Sequence, residues 1–326
     1  MNNIPGFVDL QVNGYKGINF SDQNLKLDDI FYVNRELLKK GTIGYCPTLI
    51  SSSLETYERN LPIIIEAAHA EYGARILGIH LEGPFINPSD GPRGIHPRKQ
   101  IKSPSISLFK KLYSLAHEEI ALITIDPQQK GALELISFIS KNENSVISIG
   151  HTVAGEKTIQ KSVKLGAKAA THVGNGISEK IHRHQNPLWN ILAEDKLSAL
   201  FITDGFHLPA PFIKVALRAK GVSRFIVTSD LVHLAGFEPG EYYFDKIPVI
   251  LESNGYLHRK NSYQLAGSTS TMLECMNVMA TLDDLSIGDL ISIGYKNPLQ
   301  LLNRETIKKS PDAPIIEFDN GTFQIK

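Results

Sequence analysis

The stretch Ile79-His80-Leu81-Glu82-Gly83-Pro84-Phe85 directly follows an apolar run at residues 74–78. This pattern predicts a buried strand that ends with Glu82 at its C-terminal tip, beside a Gly-Pro turn. A carboxylate in that place is costly to bury unless a positive charge meets it. Two later predicted strands end in histidines, His151 and His172. One Glu and two His from three strand tips supply the three protein ligands that a catalytic zinc-type site uses when it leaves a position open for water.

A single histidine in a core is more often a hydrogen-bonded structural residue than a metal ligand, and His80 fits that description. The recurrence of such residues at strand ends instead favours a shared metal site for Glu82, His151 and His172. Asp230 has two interpretations, because it either caps the next segment, as Asp often does, or acts on a metal-bound water as general base. The last strand ends at Asp230 and nothing helical follows at once, which favours the base.

Apolar strand-like runs alternate with helical patterns along the first 230 residues or so. Eight such units fit a (β/α)8 barrel better than an open doubly wound sheet. No repeat of 20 to 50 residues is visible, which argues against a solenoid. The predicted strands cover residues 7–14, 42–50, 75–81, 121–125, 145–149, 167–171, 197–203 and 224–228.

The sequence pattern changes after the last predicted strand. Short apolar runs around the turn at residues 252–255 indicate a hairpin excursion near 240–260, and helices are predicted at 270–281 and 287–302. An Asn-Gly pair at 320–321 predicts a C-terminal β-hairpin. We therefore expect a metal-dependent barrel domain over residues 1–300, and a hairpin in 301–326 that contributes to a small β annex.

Composition excludes several classes of protein. The 326 residues include 34 Lys plus Arg and 34 Asp plus Glu, so no bulk charge points to nucleic acid or an anionic membrane surface. No apolar run reaches 18 residues, and no signal-peptide pattern opens the chain. Cys46 and Cys275 lie far apart and are expected to be buried thiols in a reducing compartment. These features predict a cytoplasmic protein.

Several motifs follow one another in a recognisable order. They lie at residues 5–14, 80–85, 94–97, 150–152, 171–176, 204–207, 228–236, 265–268 and 297–298. Together they resemble the N-acetylglucosamine-6-phosphate deacetylase family of the amidohydrolase superfamily. The resemblance implies hydrolysis of an acetamide by a metal-activated water, a (β/α)8 barrel of the metal-dependent amidohydrolase type, and a homodimer. Members of that family carry a longer segment before the first motif, so we expect a reduced β annex here.

The resemblance also assigns roles to individual residues. Glu82, His151 and His172 match the metal ligands, Asp230 matches the general base and acid, and His96 matches the histidine that polarises the acetyl carbonyl. Four residues match positions that hold the sugar phosphate, namely Asn175, Gly176, Arg183 and His207. The family completes its phosphate site across a dimer interface, which implies that Arg183 serves the neighbouring subunit.

The residues themselves support part of this assignment and leave part open. Gln11 and Asn13 end the first strand, where many amidohydrolases have two histidines for a second metal; neutral amides are poor metal ligands, so a single metal is expected. Gln11 either binds sugar hydroxyls or simply forms a turn. Arg183 lies in a cationic loop that suits a phosphate dianion, or in a solvated surface loop. Zinc is the expected ion, and iron or another divalent metal also suits a Glu/His/His set.

Three functions stay open at this point. The first is deacetylation of N-acetylglucosamine 6-phosphate, and the second is hydrolysis of another N-acyl amino sugar or an N-acyl amino acid by the same fold. The third is a non-catalytic barrel that binds a sugar or regulates a partner, against which the complete set of ligands and base argues. Asp126 departs from the family pattern, in which an apolar residue is usual, and makes either a harmless polar contact or a change in the pocket.

Overall fold

Eight parallel strands form a barrel in the part of the chain that the structure describes. The structure is a computed structural model that describes residues 4–70, 72–244, 246–282 and 285–326. The barrel strands are β1 (Phe7–Val12), β2 (Thr42–Ile50), β3 (Ile79–Glu82), β4 (Ile120–Ile125), β5 (Val146–Ile149), β6 (Ala169–Ala170), β7 (Ser198–Ile202) and β8 (Phe225–Thr228). Each strand pairs with the next in chain order. A parallel bridge between Val12 and Leu231 brings the last strand back to the first, which confirms the predicted (β/α)8 barrel.

The third strand is shorter than its sequence pattern predicts. The predicted run at 75–81 is divided into Arg75–Ile76, which pairs with β2 only, and β3. Gly78 lies between the two pieces with a φ of +107°, in the left-handed region that favours glycine. The break lets β3 take up its own register with β4, and β3 ends at Glu82 as the sequence predicts.

Helices cover the outside of the barrel and pack their apolar faces onto it. They are α1 (Leu27–Lys39), α2 (Leu54–His69), α3 (Ile106–Leu115), α4 (Ala132–Asn142), α5 (Glu156–Lys164), α6 (Pro187–Ala193), α7 (Ala210–Lys220), α8 (Met272–Ala280), α9 (Ile287–Ile291) and α10 (Asn297–Leu301). Serine side chains cap the starts of α2 and α3, where Ser53 accepts from the Thr56 amide and Ser105 from the Leu108 amide. None of the described helices is both long and apolar enough to cross a membrane.

The barrel interior is apolar at one end and polar at the other. Alternate strand residues such as Val8, Leu10 and Leu122 form a buried apolar layer, which Leu299 closes from α10. Side chains nearer the carboxyl ends of the strands are polar although they are buried. They include Gln11, Thr48, His80, Glu82, Thr124 and Ser148. The carboxyl ends of the strands are where enzymes of this fold place their active sites.

Small antiparallel β elements are added to the barrel, the first of them a short hairpin of Gly14–Tyr15 and Ile18–Asn19 directly after β1. The excursion after β8 forms a three-stranded antiparallel sheet of β9 (Gly240–Phe244), β10 (Ile247–Leu251) and β11 (Leu257–Arg259). The C-terminal hairpin consists of β12 (Ile316–Asp319) and β13 (Thr322–Ile325), as the Asn-Gly pair predicts. Phe323 of β13 packs edge-on against Phe7 of β1, with ring centroids 5.1 Å apart. The hairpin therefore packs against the amino-terminal end of β1 and against α8, where the Phe323 amide donates to Asn277.

Candidate metal centre and active site

One carboxylate and two imidazoles converge at the polar end of the barrel. The Oε1 atom of Glu82 lies 3.0 Å from Nε2 of His151 and 2.8 Å from Nε2 of His172, and the two nitrogens are 3.1 Å apart. All three side chains are buried. Ligand atoms that bind one zinc ion at about 2.0–2.2 Å lie about 3 Å from one another, so the spacing fits a shared divalent cation.

The protons of the cluster support the same conclusion. His151 Nδ1 lies 2.6 Å from the Pro92 carbonyl oxygen and must donate to it, so displacement of the Nε2 proton by a cation leaves that lone pair facing the Glu82 oxygen. A proton can bridge only two of the three converging atoms, whereas a divalent cation can bind all three. A second hydrogen bond that orients a ligating imidazole is also usual in metal sites. The donor set thus fits the metal that the sequence predicts.

His96 completes the cluster, and the position of the proton on its ring sets it apart from the other two histidines. Ligand atoms of Glu82, His96 and His151 lie within 4.8 Å of one another, so these three residues could also hold a metal. The Ser51 backbone amide, however, donates to Nδ1 of His96, which puts the proton of the neutral imidazole on Nε2. That Nε2 lies 3.5 Å from Glu82. With its proton on Nε2, His96 presents a hydrogen-bond donor to the site, and His172, whose Nε2 lies 2.8 Å from Glu82, is the other candidate for a third ligand.

The charges in the cluster are strongly perturbed. Burial alone would raise the pKa of Glu82, but its hydrogen bonds with His151 and His172 outweigh burial and hold that pKa well below its ordinary range. Burial lowers the pKa of His96 to about 4, so this imidazole is neutral. A carboxylate that stays ionised beside a neutral donor is a suitable setting for binding a cation and polarising a carbonyl.

Asp230 faces the same cavity from the end of β8. Burial and the Glu82 carboxylate raise the pKa of Asp230 to about 8. The Nδ2 atom of Asn13 donates to Oδ1 of Asp230 over 2.7 Å, which fixes the carboxylate and leaves its second oxygen available. Asp230, His151 and His172 all have positive φ angles, of 53°, 48° and 27°. Such strained backbone at non-glycine residues is concentrated at functional sites.

Gln11 contacts the metal cluster rather than the cavity. Its side chain is completely buried, and its Nε2 atom donates to Oε1 of Glu82 over 2.7 Å. Gln11 does not line the cavity, whereas Asn13 does. The contact supports a role in holding the Glu82 carboxylate, and binding of a sugar hydroxyl by Gln11 stays a prediction without a supporting contact.

A cavity of about 660 Å³ opens above the cluster. Of the residues that the sequence predicts to hold the sugar phosphate, Asn175, Gly176 and His207 line it. Arg183 does not; it lies in an exposed loop at residues 180–185. The cavity wall also contains residues without a motif of their own, which the sequence did not single out. Among them are Asp90, Glu179, Phe244 and Gln264.

His207 is held by a carboxylate. Its Nδ1 atom lies 2.7 Å from Oδ2 of Asp204, and its backbone amide donates to the other oxygen of the same carboxylate over 2.8 Å. Burial alone would raise the pKa of Asp204, but the hydrogen bond with His207 prevails and lowers it to about 2. The ionised Asp204 therefore orients the imidazole, whose other nitrogen is left for a ligand in the cavity.

A (β/α)8 barrel with a Glu/His/His cluster and an aspartate at the carboxyl ends of its strands defines a hydrolase of the amidohydrolase superfamily. No family profile matches the sequence. The N-acetylglucosamine-6-phosphate deacetylase of Bacillus subtilis is 30% identical to the chain, over 97% of the chain and 81% of that enzyme. The chain belongs to the N-acetylglucosamine-6-phosphate deacetylase family.

Solved structures agree with this assignment. The N-acetylglucosamine-6-phosphate deacetylase of Thermotoga maritima superposes with a TM-score of 0.83 at 25% identity, and the match covers 98% of this chain and 84% of that one. A mutant of the Mycobacterium smegmatis enzyme, in complex with N-acetyl-D-glucosamine-6-phosphate, superposes with a TM-score of 0.87 at 21% identity. That match covers 99% of this chain and 84% of the other and shows the common fold.

Proposed function

We propose that this protein hydrolyses the acetamide of N-acetylglucosamine 6-phosphate to glucosamine 6-phosphate and acetate. The convergence of Glu82, His151 and His172 opposite Asp230 in one cavity carries the proposal, because amide hydrolysis needs both an electrophilic centre and a proton carrier. Membership of the deacetylase family supplies the substrate.

Glu82, His151 and His172 would hold one divalent ion, with zinc expected. When bound, such an ion polarises the amide carbonyl and lowers the pKa of water. His96 contributes through its Nε2 proton, which is fixed by the bond from the Ser51 amide and can donate to the carbonyl oxygen as negative charge develops there.

Asp230 is the proton carrier of the proposed reaction. The Asn13 amide holds one of its oxygens, so the other can accept a proton from the attacking water. The same carboxyl then donates that proton to the nitrogen of the leaving amine, which departs as glucosamine 6-phosphate. A pKa near 8 suits a group that both accepts and donates a proton near neutral pH.

In the proposed complex, other residues that line the cavity bind the sugar phosphate. The Nδ2 atom of Asn175 is buried and has no hydrogen-bond partner among the described residues, so it is available to a ligand. The described residues that line the cavity include neither Lys nor Arg, although a phosphate dianion calls for one. We propose that the protein is a homodimer in which Arg183, exposed on its loop, reaches the cavity of the other subunit.

Acetate release tests the reaction directly. Metal-assayed protein would be incubated with N-acetylglucosamine 6-phosphate and with N-acetylglucosamine, and compared with Asp230→Asn. We expect release from the phosphorylated sugar and a drop of about 10²–10⁴-fold in the variant. Absence of acetate from either sugar, with one metal bound per chain, would refute the proposed substrate.

Complementation tests the role of Arg183. If Arg183 acts in the neighbouring subunit, mixing inactive Asp230→Asn with Arg183→Gln produces dimers in which one site has both intact residues, and activity returns. If Arg183 acts in its own subunit, the mixture stays inactive. Sedimentation of the unmixed protein checks that it is a dimer.

Uncharged N-acyl amino sugars are a second candidate class of substrate, because the described residues that line the cavity include no Lys or Arg. Asp90 and Glu179 put two carboxylates on the cavity wall, and in the part of the chain that the structure describes only Asp90 has arginines beside it, Arg93 at 2.6 Å and Arg98 at 3.5 Å. This lining suits an uncharged N-acyl amino sugar better than a phosphate. Faster acetate release from N-acetylglucosamine than from its 6-phosphate, with no effect of Arg183→Gln, would select this alternative.

A further inference from the structure

Asp126 is a buried carboxylate that lies behind the active site and does not line the cavity. Its exposed fraction is 0%. It accepts hydrogen bonds from the Thr152 hydroxyl, from the Asn87 side chain over 3.0 Å, from the Gln128 backbone amide over 3.0 Å and from the Gln129 side chain over 3.2 Å. Four donors satisfy the carboxylate, which is the condition under which a charge can be buried.

Two of these donors belong to loops that carry the metal cluster. Thr152 follows His151 directly in the chain. Asn87 lies in the loop that starts at Glu82, and its backbone amide donates to the His151 carbonyl over 3.1 Å. The Asp126 backbone amide also donates to the Phe85 carbonyl over 2.9 Å. Asp126 therefore ties the loop after β3 to the loop after β5, next to His151 in the chain.

The orientation of the His151 ring depends on the same loops. Its Nδ1 atom donates to the carbonyl of Pro92, five residues beyond Asn87 on the β3 loop. A shift of that loop relative to Thr152 would therefore turn the imidazole as well as move its backbone. Displacements of about 0.5 Å are enough to impair a metal or catalytic site.

We propose that Asp126 is a positioning residue of the metal centre, which sets the distance between Glu82 and His151 by holding their two loops together. The inference rests on the proposed metal site. Outer-shell partners of metal ligands typically contribute 10–100-fold in metal affinity. Asp126→Leu removes all four hydrogen bonds while keeping a similar volume, so we expect it to weaken zinc binding by about 10–100-fold.

The experiment measures zinc dissociation constants by competition with a chromophoric chelator and does not depend on activity. Glu82→Gln identifies the binding that belongs to the cavity. Asp126→Asn is nearly isosteric, but its amide would point a donor at the donors of Asn87 and Gln129. The double variant Asp126→Asn/Asn87→Asp restores a donor–acceptor pair between the two positions, and it should recover most of the lost affinity.

Asn297→Ala is the matched control for general loss of stability. Asn297 is also buried and donates to the carbonyls of Val222 and Phe225 at the beginning of β8, the end of that strand away from the cavity. It should lower the melting temperature without changing zinc affinity. The inference is overturned if Asp126→Leu and Asp126→Asn bind zinc within twofold of the wild type. Equal zinc binding by the wild type and Glu82→Gln would instead overturn the metal site itself, and this inference with it.

Discussion

Replacement of Asp9 by alanine should destabilise the barrel at the point where its last strand meets its first. Asp9 lies on β1, is 2% exposed and accepts from residues of β8 and its continuation. Its Oδ1 atom accepts from the Thr228 hydroxyl over 2.7 Å, from the Ser229 amide over 3.1 Å and from the Gln11 amide over 3.2 Å. Its Oδ2 atom accepts from the Ser229 hydroxyl.

The magnitude follows from the donors that Asp9→Ala leaves without an acceptor. The two hydroxyls can rotate toward other groups, but the amides of Ser229 and Gln11 cannot. A buried donor without a partner costs about 1–3 kcal/mol, so the two amides together predict a loss of about 4 kcal/mol in the free energy of unfolding. A domain with a typical stability of about 5–15 kcal/mol would still fold.

Urea denaturation followed by circular dichroism measures this loss. Thr228→Val, which removes a single hydroxyl, serves as the control and should cost about 1 kcal/mol. Because Ser229 precedes Asp230, Asp9→Ala should also slow acetate release more than it weakens zinc binding. A loss below about 1 kcal/mol for Asp9→Ala would refute the reasoning, since the amides would then have found other acceptors.

Three further predictions concern separate parts of the molecule. Gly176→Ala places a methyl group 3.0 Å from His151 Nδ1 at a φ of +60°, so zinc affinity should fall by about tenfold in the chelator assay. Phe323→Ala removes the ring that packs on Phe7 and should cost about 3–5 kcal/mol in urea denaturation; a cost near zero would mean that the hairpin does not stabilise the barrel. Burial lowers the pKa of Lys220 to about 8, so between about pH 8 and 10.5 the unfolded chain binds more protons at this residue than the folded chain does. The free energy of unfolding of the wild type, relative to Lys220→Met, should therefore rise over that pH range. Urea denaturation at several pH values measures this rise.

Much of the barrel was predictable because its signal is local. Apolar runs and helical spacing predict the strands and helices. Polar residues at strand ends point to Glu82, His151, His172 and Asp230, which all line one cavity in the structure. The strand predicted at 167–171 has only Ala169–Ala170 in ladder geometry, since the extent of pairing depends on neighbours that are distant in sequence. The excursion near 240–260 has three strands where the sequence suggested a hairpin.

The arrangement around the cluster was less predictable, because it depends on contacts between loops. Asp126 stood out in sequence only as a departure from a family pattern, and nothing local indicates that its partners are Thr152 and Asn87. The tautomer of His96 likewise depends on the Ser51 amide, which is 45 residues away. The sequence predicts Gln11 at a strand end, but the direction of its side chain toward Glu82 depends on the packing of β1 against β3 in the barrel.

His151, His172 and Asp230 have positive φ angles that glycine would adopt with less strain. The sequence of this protein is therefore not the most stable one for its backbone at these three positions. Each strained residue costs about 1 kcal/mol relative to glycine, so about 3 kcal/mol of folding free energy is given up at the site. Relief of this strain alone would favour glycine at all three positions and would remove the two proposed metal ligands and the proposed proton carrier. A descendant released from selection for catalysis should therefore lose these three residues early, while the barrel itself persists.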